Sequence, residues 1–176
     1  MDPFATLGLP RRYELDRGEL EARYRELQKA LHPDRHAGAS ASQRRMSLAR
    51  AVEVNDAYRA LKDDLRRAEA LLSLYGGKAE PEGGAADPEF LMEVMELRES
   101  LGDAKAAGDL ARVRQLADKV EAMRGAARTT LVERFGDGAA DPEPVALAEA
   151  SALVSRLKYF KRFLDEVSVI EEEALG

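Results

Sequence analysis

Apolar side chains recur along most of this chain with the spacing of one face of an α-helix. In the first strong example, Leu20, Tyr24, Leu27 and Leu31 form one narrow stripe. Residues three or four apart share a helical face, so this stripe predicts a helix over about 16–31. No segment sustains the alternation of a half-buried strand. The sequence therefore predicts an all-α protein.

Five further helices are predicted by the same periodicity and by capping residues. Val54, Ala57, Tyr58 and Leu61 share one face of the second helix. Asp87-Pro88 and Asp141-Pro142 both resemble an N-cap followed by a proline in the first helical turn. The predicted ranges are about 42–62, 64–75, 88–107, 110–135 and 142–175.

Glycine and proline divide the chain into two predicted domains. Residues 76–88 read GGKAEPEGGAADP, and neither a helix nor a strand interior accommodates so many breakers. We therefore expect a first helical domain over 1–75, a linker over 76–88 and a second helical domain over 89–176. Smaller breaks are predicted at about 32–42 and 136–144, and no internal repeat is evident.

Charge is distributed unevenly between the two halves. The net charge of −6 divides into +2 for residues 1–75 and −8 for the remainder. An acidic second half argues against nucleic-acid binding there, because like charge repels phosphate. The difference between the halves suggests two different partners.

Composition also narrows the function classes and the expected location. The chain has no cysteine, so disulfides, thiolate metal sites and cysteine nucleophiles are excluded. The opening Met-Asp-Pro-Phe is neither basic nor followed by a long apolar run, which argues against a signal peptide. No apolar run is long enough to span a bilayer. We expect a cytoplasmic protein without a membrane partner.

A His-Pro-Asp tripeptide follows the first long predicted helix at residues 32–34. On a helical wheel, Arg25 and Lys29 lie opposite the apolar stripe, and His32 continues their direction. Two cations one turn apart thus lead into a loop between two helices that can pack antiparallel. A positive stripe steers an acidic partner surface, and a proline lowers the entropy lost when a loop docks.

The residues alone leave other interpretations of this loop open. A charged outer face is commonly only solvated, and Asp34 could form a local turn hydrogen bond. His32, Asp34 and His36 could ligate a metal, although no further ligands are evident. A His–Asp catalytic pair would need a nucleophile within reach, and no matching motif is present.

The spacing of Tyr24, Leu27 and the tripeptide resembles a J domain, as does the segment NDAYRAL at 55–61. The resemblance implies that the basic helix and the loop contact the nucleotide-binding part of a DnaK-type chaperone and stimulate its ATP hydrolysis. The residues that would make this contact are Arg25, Lys29, His32, Pro33, Asp34 and Arg35.

The predicted helix over 88–107 carries two different apolar faces. Phe90, Val94, Leu97 and Leu101 form one stripe, which suffices to pack the helix against its neighbours. A second side combines apolar with acidic residues, and methionine is common on binding surfaces. Its members are Leu91, Met92, Met95, Glu96, Glu99 and Asp103. A central bundle helix that buries both faces is the alternative.

The last helix shows a similar separation of faces. Leu153, Leu157, Phe160 and Leu164 form its predicted core stripe. Tyr159 lies well off that stripe, and an exposed aromatic residue makes a plausible interface anchor. Phe163 lies nearer the edge of the stripe and is the second choice for this anchor.

The whole chain resembles the HscB family of J-proteins. The resemblance is carried by the opening DPFATLGLP at 2–10, by RAEALLSL at 67–74, and by FLME at 90–93 followed by ELRE at 96–99. It implies an L-shaped fold in which an N-terminal J domain, built on a helical hairpin, precedes a C-terminal three-helix bundle. It also implies a role in iron–sulfur cluster biogenesis without enzymatic activity of the chain's own.

The same resemblance implies two protein partners. The J domain would engage an HscA-like chaperone, and the bundle would bind an IscU-like scaffold protein through Leu91, Met92, Met95, Glu96, Glu99, Asp103 and Tyr159. Met95, Asp103 and Tyr159 depart from the side chains usual in the family. The cysteine zinc module of eukaryotic relatives has no counterpart here, because the chain lacks cysteine. We therefore expect no metal and no cofactor.

Two rival functions follow from the sequence. The first is a J-protein with another client, or one that uses its bundle for dimerisation. The second is a helical-bundle metalloenzyme, which is disfavoured by the presence of only two histidines and by the lack of a paired Glu-x-x-His motif.

Overall fold

The computed structural model describes residues 1–32, 40–78 and 87–175, and it places seven helices and no strand within these ranges. The predicted all-α class is confirmed. No helix in the described ranges is both long and apolar enough to cross a bilayer. The helices are α1 Pro3–Leu7, α2 Arg17–Ala30, α3 Ala41–Lys62, α4 Asp64–Leu74, α5 Pro88–Ala107, α6 Leu110–Phe135 and α7 Pro144–Leu175.

Aromatic and polar contacts hold α2 and α3 together as a hairpin. The Tyr24 and Tyr58 rings stack with their centroids 4.0 Å apart, and the Tyr24 hydroxyl donates to Asn55 Oδ1 at 2.8 Å. Farther along, the Ser47 hydroxyl donates to the Leu31 carbonyl at 3.3 Å. Since later residues of α2 meet earlier residues of α3, the two helices run antiparallel, as the J-domain resemblance implies.

Side-chain caps explain where these two helices begin. Asp16 Oδ1 accepts the backbone N–H of Glu19 at 2.7 Å. Ser40 and Gln43 form a reciprocal capping box at the start of α3. The break predicted at 32–42 is bounded by these helices, and residues 33–39 lie outside the described ranges.

The apolar periodicity does not predict α1, because a helix of 5 residues is too short to repeat a stripe. Its local signal is nevertheless clear. Asp2 Oδ1 accepts the backbone N–H of Phe4 at 2.9 Å, and Pro3 occupies the first turn. Phe4 and Leu7 are buried, and α1 packs against α3. The Asp-Pro pattern that predicts α5 therefore also marks this helix.

The C-terminal half is the predicted three-helix bundle. Helix α6 packs against both α5 and α7, and side chains of α5 and α7 meet at the edge of the bundle. Asp87 caps α5 as predicted, and Gly108 ends it with φ +66°. Among the most deeply buried residues of the bundle are Leu101, Val113, Val120, Leu131, Phe135 and Leu157.

The start of the last helix differs from the prediction. Helix α7 begins at Pro144 rather than at 142, so Asp141-Pro142 is not its cap and first turn. The residue before a proline is pushed out of the helical region, and Glu143 precedes Pro144. The Glu143 carbonyl accepts the Leu147 N–H at 2.9 Å, which makes Pro144 the first helical residue.

Helix α4 joins the two halves by packing against both α3 and α7, as predicted for the helix at 64–75. Two ion pairs also join α4 to the bundle. Glu69 lies 3.0 Å from Lys158 on α7, and Asp64 lies 3.2 Å from Arg128 on α6. Leu71 of α4 is fully buried. The halves of the chain therefore share one continuous core.

The first residues after α4 are packed rather than extended into solvent. The Gly77 N–H donates to the Leu72 carbonyl at 2.8 Å, and the Ser151 hydroxyl donates to the Lys78 carbonyl at 2.6 Å. A Cβ on Gly77 would lie 3.2 Å from the side chains of both Leu72 and Leu147. The beginning of the predicted linker thus belongs to the interface between α4 and α7.

This close approach predicts opposite effects for two glycine substitutions. Gly77→Ala should lower the free energy of unfolding by about 1–2 kcal/mol, because the added methyl group crowds two leucine side chains. Gly102→Ala is the control within α5, where nothing lies within 4 Å of the added Cβ. It should raise stability by about 0.5–1 kcal/mol through helix propensity. Urea denaturation measures both, and equal effects would contradict the packing at Gly77.

Candidate functional site

The basic face of α2 is exposed, as its sequence pattern predicts. Arg25, Lys29 and His32 are all solvent-accessible. Arg25 forms an i,i+4 ion pair with Glu21 at 3.0 Å, which steadies its side chain without removing it from solvent. The predicted contact residues Pro33, Asp34 and Arg35 lie outside the described ranges.

A groove of about 560 Å³ lies between this basic face and α3. Arg25, Lys29 and His32 line one side, and Ala51 and Asn55 line the other. The groove combines fixed positive charge with an apolar floor. Such a surface suits a partner segment that carries both acidic and apolar side chains.

Polar contacts under the basic face hold α2 in register with α3. The Gln28 side chain donates to the Tyr24 hydroxyl at 2.6 Å, and this hydroxyl donates onward to Asn55. Because Arg25 and Lys29 flank Gln28 on the same helix, the network fixes the position of their backbone relative to α3. Sequence periodicity does not identify Gln28 as part of this support, because its neighbour across the hairpin, Asn55, is 27 residues away.

The second face of α5 is exposed, which excludes the interpretation that α5 buries both faces. Leu91, Met92 and Met95 retain 41%, 61% and 70% of their accessible surface, whereas Leu97 and Leu101 on the other side are buried. The acidic members of the same face, Glu96, Glu99 and Asp103, are also exposed. We call these six residues the α5 patch.

Tyr159 lies beside the α5 patch but is half-buried rather than fully exposed. Its hydroxyl donates to the Val94 carbonyl at 3.2 Å, and its ring meets Phe90 edge to face at 6.0 Å. Burial raises the pKa of Tyr159 above its ordinary value. Tyr159 therefore joins α7 to α5 at Phe90 and Val94, which precede the patch residues Leu91 and Met95, and it stays partly accessible.

Phe163 is buried in the bundle core with 2% exposure and is excluded as the surface anchor. The core stripe of α7 is rotated from the predicted one. Val154 and Phe163 are buried, whereas Leu153 and Leu164 are only partly buried. A helix of 32 residues packs against two neighbours along its length, so one narrow stripe does not describe it.

Arg156 is a supporting residue that sequence reasoning does not single out. Its guanidinium lies 4.8 Å from the centroid of the Phe90 ring and 3.3 Å from the Asp87 carboxylate. It thereby ties α7 to the first turn of α5. An ion pair between residues 69 positions apart has no local sequence signal.

No group of three potential metal ligands occurs among the residues that the structure describes. The alternative metal site includes Asp34 and His36, which lie outside those residues. The described part of the site therefore consists of two exposed surfaces, one on α2 and one on α5. Helix α4 connects the two halves of the chain because it packs against α3 in the first half and α7 in the second.

Comparisons with known families match both halves of the chain. Residues 2–70 match the model of the DnaJ domain. Residues 86–168 match a model described as the HSCB C-terminal oligomerisation domain. The matches leave out residues 71–85, which overlap the break that the sequence places at 76–88.

Curated relatives and solved structures extend this similarity to the full length. The chain is 41% identical over 178 residues to a co-chaperone protein HscB homolog of Vibrio cholerae, and 100% of both chains is covered. A homolog from Ralstonia nicotianae is 40% identical, with 90% of this chain and 88% of the relative covered.

Two solved structures share the fold. Chaperone HscB from Vibrio cholerae superposes with a TM-score of 0.78 at 39% identity, covering 99% of each chain. The crystal structure of human co-chaperone protein HscB gives a TM-score of 0.84 at 26% identity and covers 96% of this chain and 81% of the human one. With both domain matches and the full-length identity, the chain belongs to the HscB family of J-domain co-chaperones.

Proposed function

We propose that this protein stimulates the ATPase of an HscA-like DnaK-type chaperone and delivers an IscU-like iron–sulfur scaffold protein to it. A J-protein co-chaperone role follows from the family. The observation that carries the finer assignment is the α5 patch. An exposed apolar surface on a helix whose other face is already buried marks an interaction site.

The chaperone-binding surface is proposed to consist of Arg25, Lys29 and His32, together with Pro33, Asp34 and Arg35. Two cations one turn apart provide orientation and fast association with an acidic surface. The groove beside them accepts apolar side chains of the same partner. In this proposal the J domain activates hydrolysis by the chaperone and performs no chemistry itself.

The scaffold-binding surface is proposed to be the α5 patch with Tyr159 at its border. Leu91, Met92 and Met95 supply the apolar centre. Glu96, Glu99 and Asp103 supply an acidic rim that favours a scaffold surface with exposed basic residues. Methionine is suited to this task because its flexible thioether adapts to a partner.

The domain limits are proposed as 1–75, 76–88 and 89–176. The packing of α4 against α7 would keep the two partner surfaces at a constant separation. Chaperone and scaffold would then meet in one geometry, which replaces a search in solution by a local encounter. Hydrolysis would lock the chaperone onto the scaffold and promote cluster release, and we place this activity in the cytoplasm.

Truncating the centre of the α5 patch should weaken scaffold binding with little effect on folding. Leu91→Ala/Met95→Ala should raise the dissociation constant for purified scaffold by about 30-fold or more, because central apolar anchors contribute about 2 kcal/mol or more. The melting temperature should stay within a few degrees of wild type, since Leu91 and Met95 are 41% and 70% exposed. Isothermal titration calorimetry measures the binding.

Val145→Ala/Val169→Ala is the matched control, because these valines are 71% and 50% exposed on α7 and lie outside the patch. It should bind scaffold as the wild type does. Equal affinity of both double variants would contradict the assignment of the patch. If the patch instead mediates dimerisation, Leu91→Ala/Met95→Ala will change the mass in light scattering and leave scaffold affinity unaltered.

A further inference from the structure

A cavity of about 430 Å³ lies where the two halves of the chain meet, and none of the proposed partner-contact residues lines it. It is lined by the segment before α2, the first turns of α2, the end of α3, α4 and the second half of α6. Tyr13, Arg17, Lys62, Arg67 and Arg128 are the lining residues that matter here. Its volume lies within the range of about 300–1,000 Å³ that small ligands occupy in proteins.

The cavity wall is predominantly cationic. Four of the lining side chains are Arg or Lys, whereas two, Glu14 and Glu21, are carboxylates. Glu21 already pairs with Arg25 on the outer face of α2. The positive charge of the wall comes from residues that are far apart in sequence and that the fold brings together, namely Arg17, Lys62, Arg67 and Arg128.

Two of the guanidinium groups are held in place before any ligand arrives. Arg67 lies 5.1 Å from the centroid of the Tyr13 ring and donates to the Leu61 carbonyl. Arg128 lies 3.2 Å from the Asp64 carboxylate. Fixed planar guanidinium groups present paired N–H donors, which match the oxygens of a phosphate better than a flexible ammonium does.

Buried polar atoms at this junction lack well-formed hydrogen bonds. Among the described residues, the Tyr13 hydroxyl and Arg67 Nε are buried without a hydrogen bond of normal geometry, and the Arg128 side chain is the nearest donor to the Tyr13 hydroxyl. Tyr13 is 2% exposed. Burial is also the main cause that lowers the pKa of Arg67, so an anion beside this guanidinium would offset part of its desolvation. Unsatisfied buried groups in a cavity wall are costly and indicate a ligand or ordered solvent.

We propose that this cavity is a binding site for a small phosphate-bearing anion, held by Arg17, Arg67 and Arg128 with Lys62 at its edge. Inorganic phosphate and small phosphomonoesters share the required chemistry, a compact group with close to two negative charges near neutral pH. The bound anion would join α2 and α4 to α6. Binding of the anion would therefore stabilise the junction between the domains, which the ion pair of Asp64 with Arg128 already stabilises.

The test uses the full-length protein and thermal unfolding at increasing ligand concentration. Sodium phosphate and glycerol phosphate are compared with sodium chloride at matched ionic strength. A saturable rise in melting temperature beyond that in chloride is expected with at least one phosphate compound. The compound with the lower half-saturating concentration identifies whether the free ion or a monoester is preferred.

Arg17→Gln removes one lining charge at the first turn of α2, where a cation gives the helix no favourable dipole interaction. It should raise the half-saturating phosphate concentration by about fivefold or more, since a charged hydrogen bond is lost. Arg112→Gln is the control, because it removes the same charge from the first turn of α6 outside the cavity. It should respond as the wild type does.

Lys62→Gln is a second lining variant, which is used if Arg17→Gln folds poorly. It should also raise the half-saturating phosphate concentration. The proposal is overturned if chloride stabilises the protein as much as phosphate does. It is equally overturned if the lining variants and Arg112→Gln show the same half-saturating concentration, because the effect would then be general screening of surface charge.

Discussion

His32→Gln is expected to abolish stimulation of the chaperone ATPase while scaffold binding persists. His32 is exposed at the end of α2 and lines the groove next to Arg25 and Lys29. A residue at the centre of an interface contributes about 2 kcal/mol or more, so at least about 30-fold higher protein concentration should be needed for any remaining stimulation. Steady-state phosphate release by the chaperone measures this.

The fold should survive this substitution, because His32 is not part of the buried core. A comparison of two arginines on α2 sharpens the test. Arg25→Gln should lower the stimulation of the ATPase and make that stimulation less dependent on salt. Arg23→Gln should change neither, because Arg23 lies on another side of the helix, where it pairs with Glu26. Full stimulation by His32→Gln would contradict the proposed role of the His-Pro-Asp tripeptide at 32–34.

Phe135→Ala is expected to cause a large loss of stability. Phe135 ends α6 and is 1% exposed, and its ring lies 6.1 Å from that of Tyr13 in the N-terminal half. Truncating a buried phenylalanine costs about 3–5 kcal/mol. Because domains of this kind are stable by about 5–15 kcal/mol, the variant should remain folded at low temperature with a markedly lower denaturation midpoint.

Tyr13→Phe is the matched control for this aromatic contact. It keeps the ring and removes only a hydroxyl that makes no hydrogen bond of normal geometry among the described residues. Stability should change by less than about 1 kcal/mol. A loss below about 1 kcal/mol in Phe135→Ala would show that the two halves do not share a core at this point.

Much of the fold follows from the sequence because the dominant signals are local. The stripe of Leu20, Tyr24 and Leu27 predicts α2, and the Asp-Pro pattern at 87–88 fixes the first residue of α5. Helix periodicity and capping act over one or two turns, so they are readable without knowledge of the partner element. The separation of the α5 patch from the buried stripe of α5 follows from the same geometry.

The remaining features depend on contacts between distant parts of the chain. The packing of Tyr159 against Val94 and Phe90 fixes how far its ring is exposed, and no wheel of α7 alone contains this information. The same holds for Arg156 over Phe90 and for Asp64 beside Arg128. The start of α7 is a local feature, but two prolines near 142–144 offer competing first turns.

The contacts around α4 connect the half of the chain that carries the basic face to the half that carries the α5 patch. The Glu69–Lys158 ion pair and the packed Gly77 join α4 to α7, while Asp64 joins it to α6. Most single surface ion pairs contribute little, so the buried leucines of α4 provide the greater part of this connection. A co-chaperone that presents a client to a chaperone benefits from such a connection, because it limits the orientations that the two partners sample.

The most direct test of the account is the steady-state ATPase of the HscA-like chaperone with scaffold alone, with this protein alone, and with both. The account predicts modest stimulation by each and a greater than additive rate when both are present. The greater than additive part should disappear with Leu91→Ala/Met95→Ala and persist with Val145→Ala/Val169→Ala. No stimulation by the wild-type protein under any condition would contradict the proposed co-chaperone mechanism.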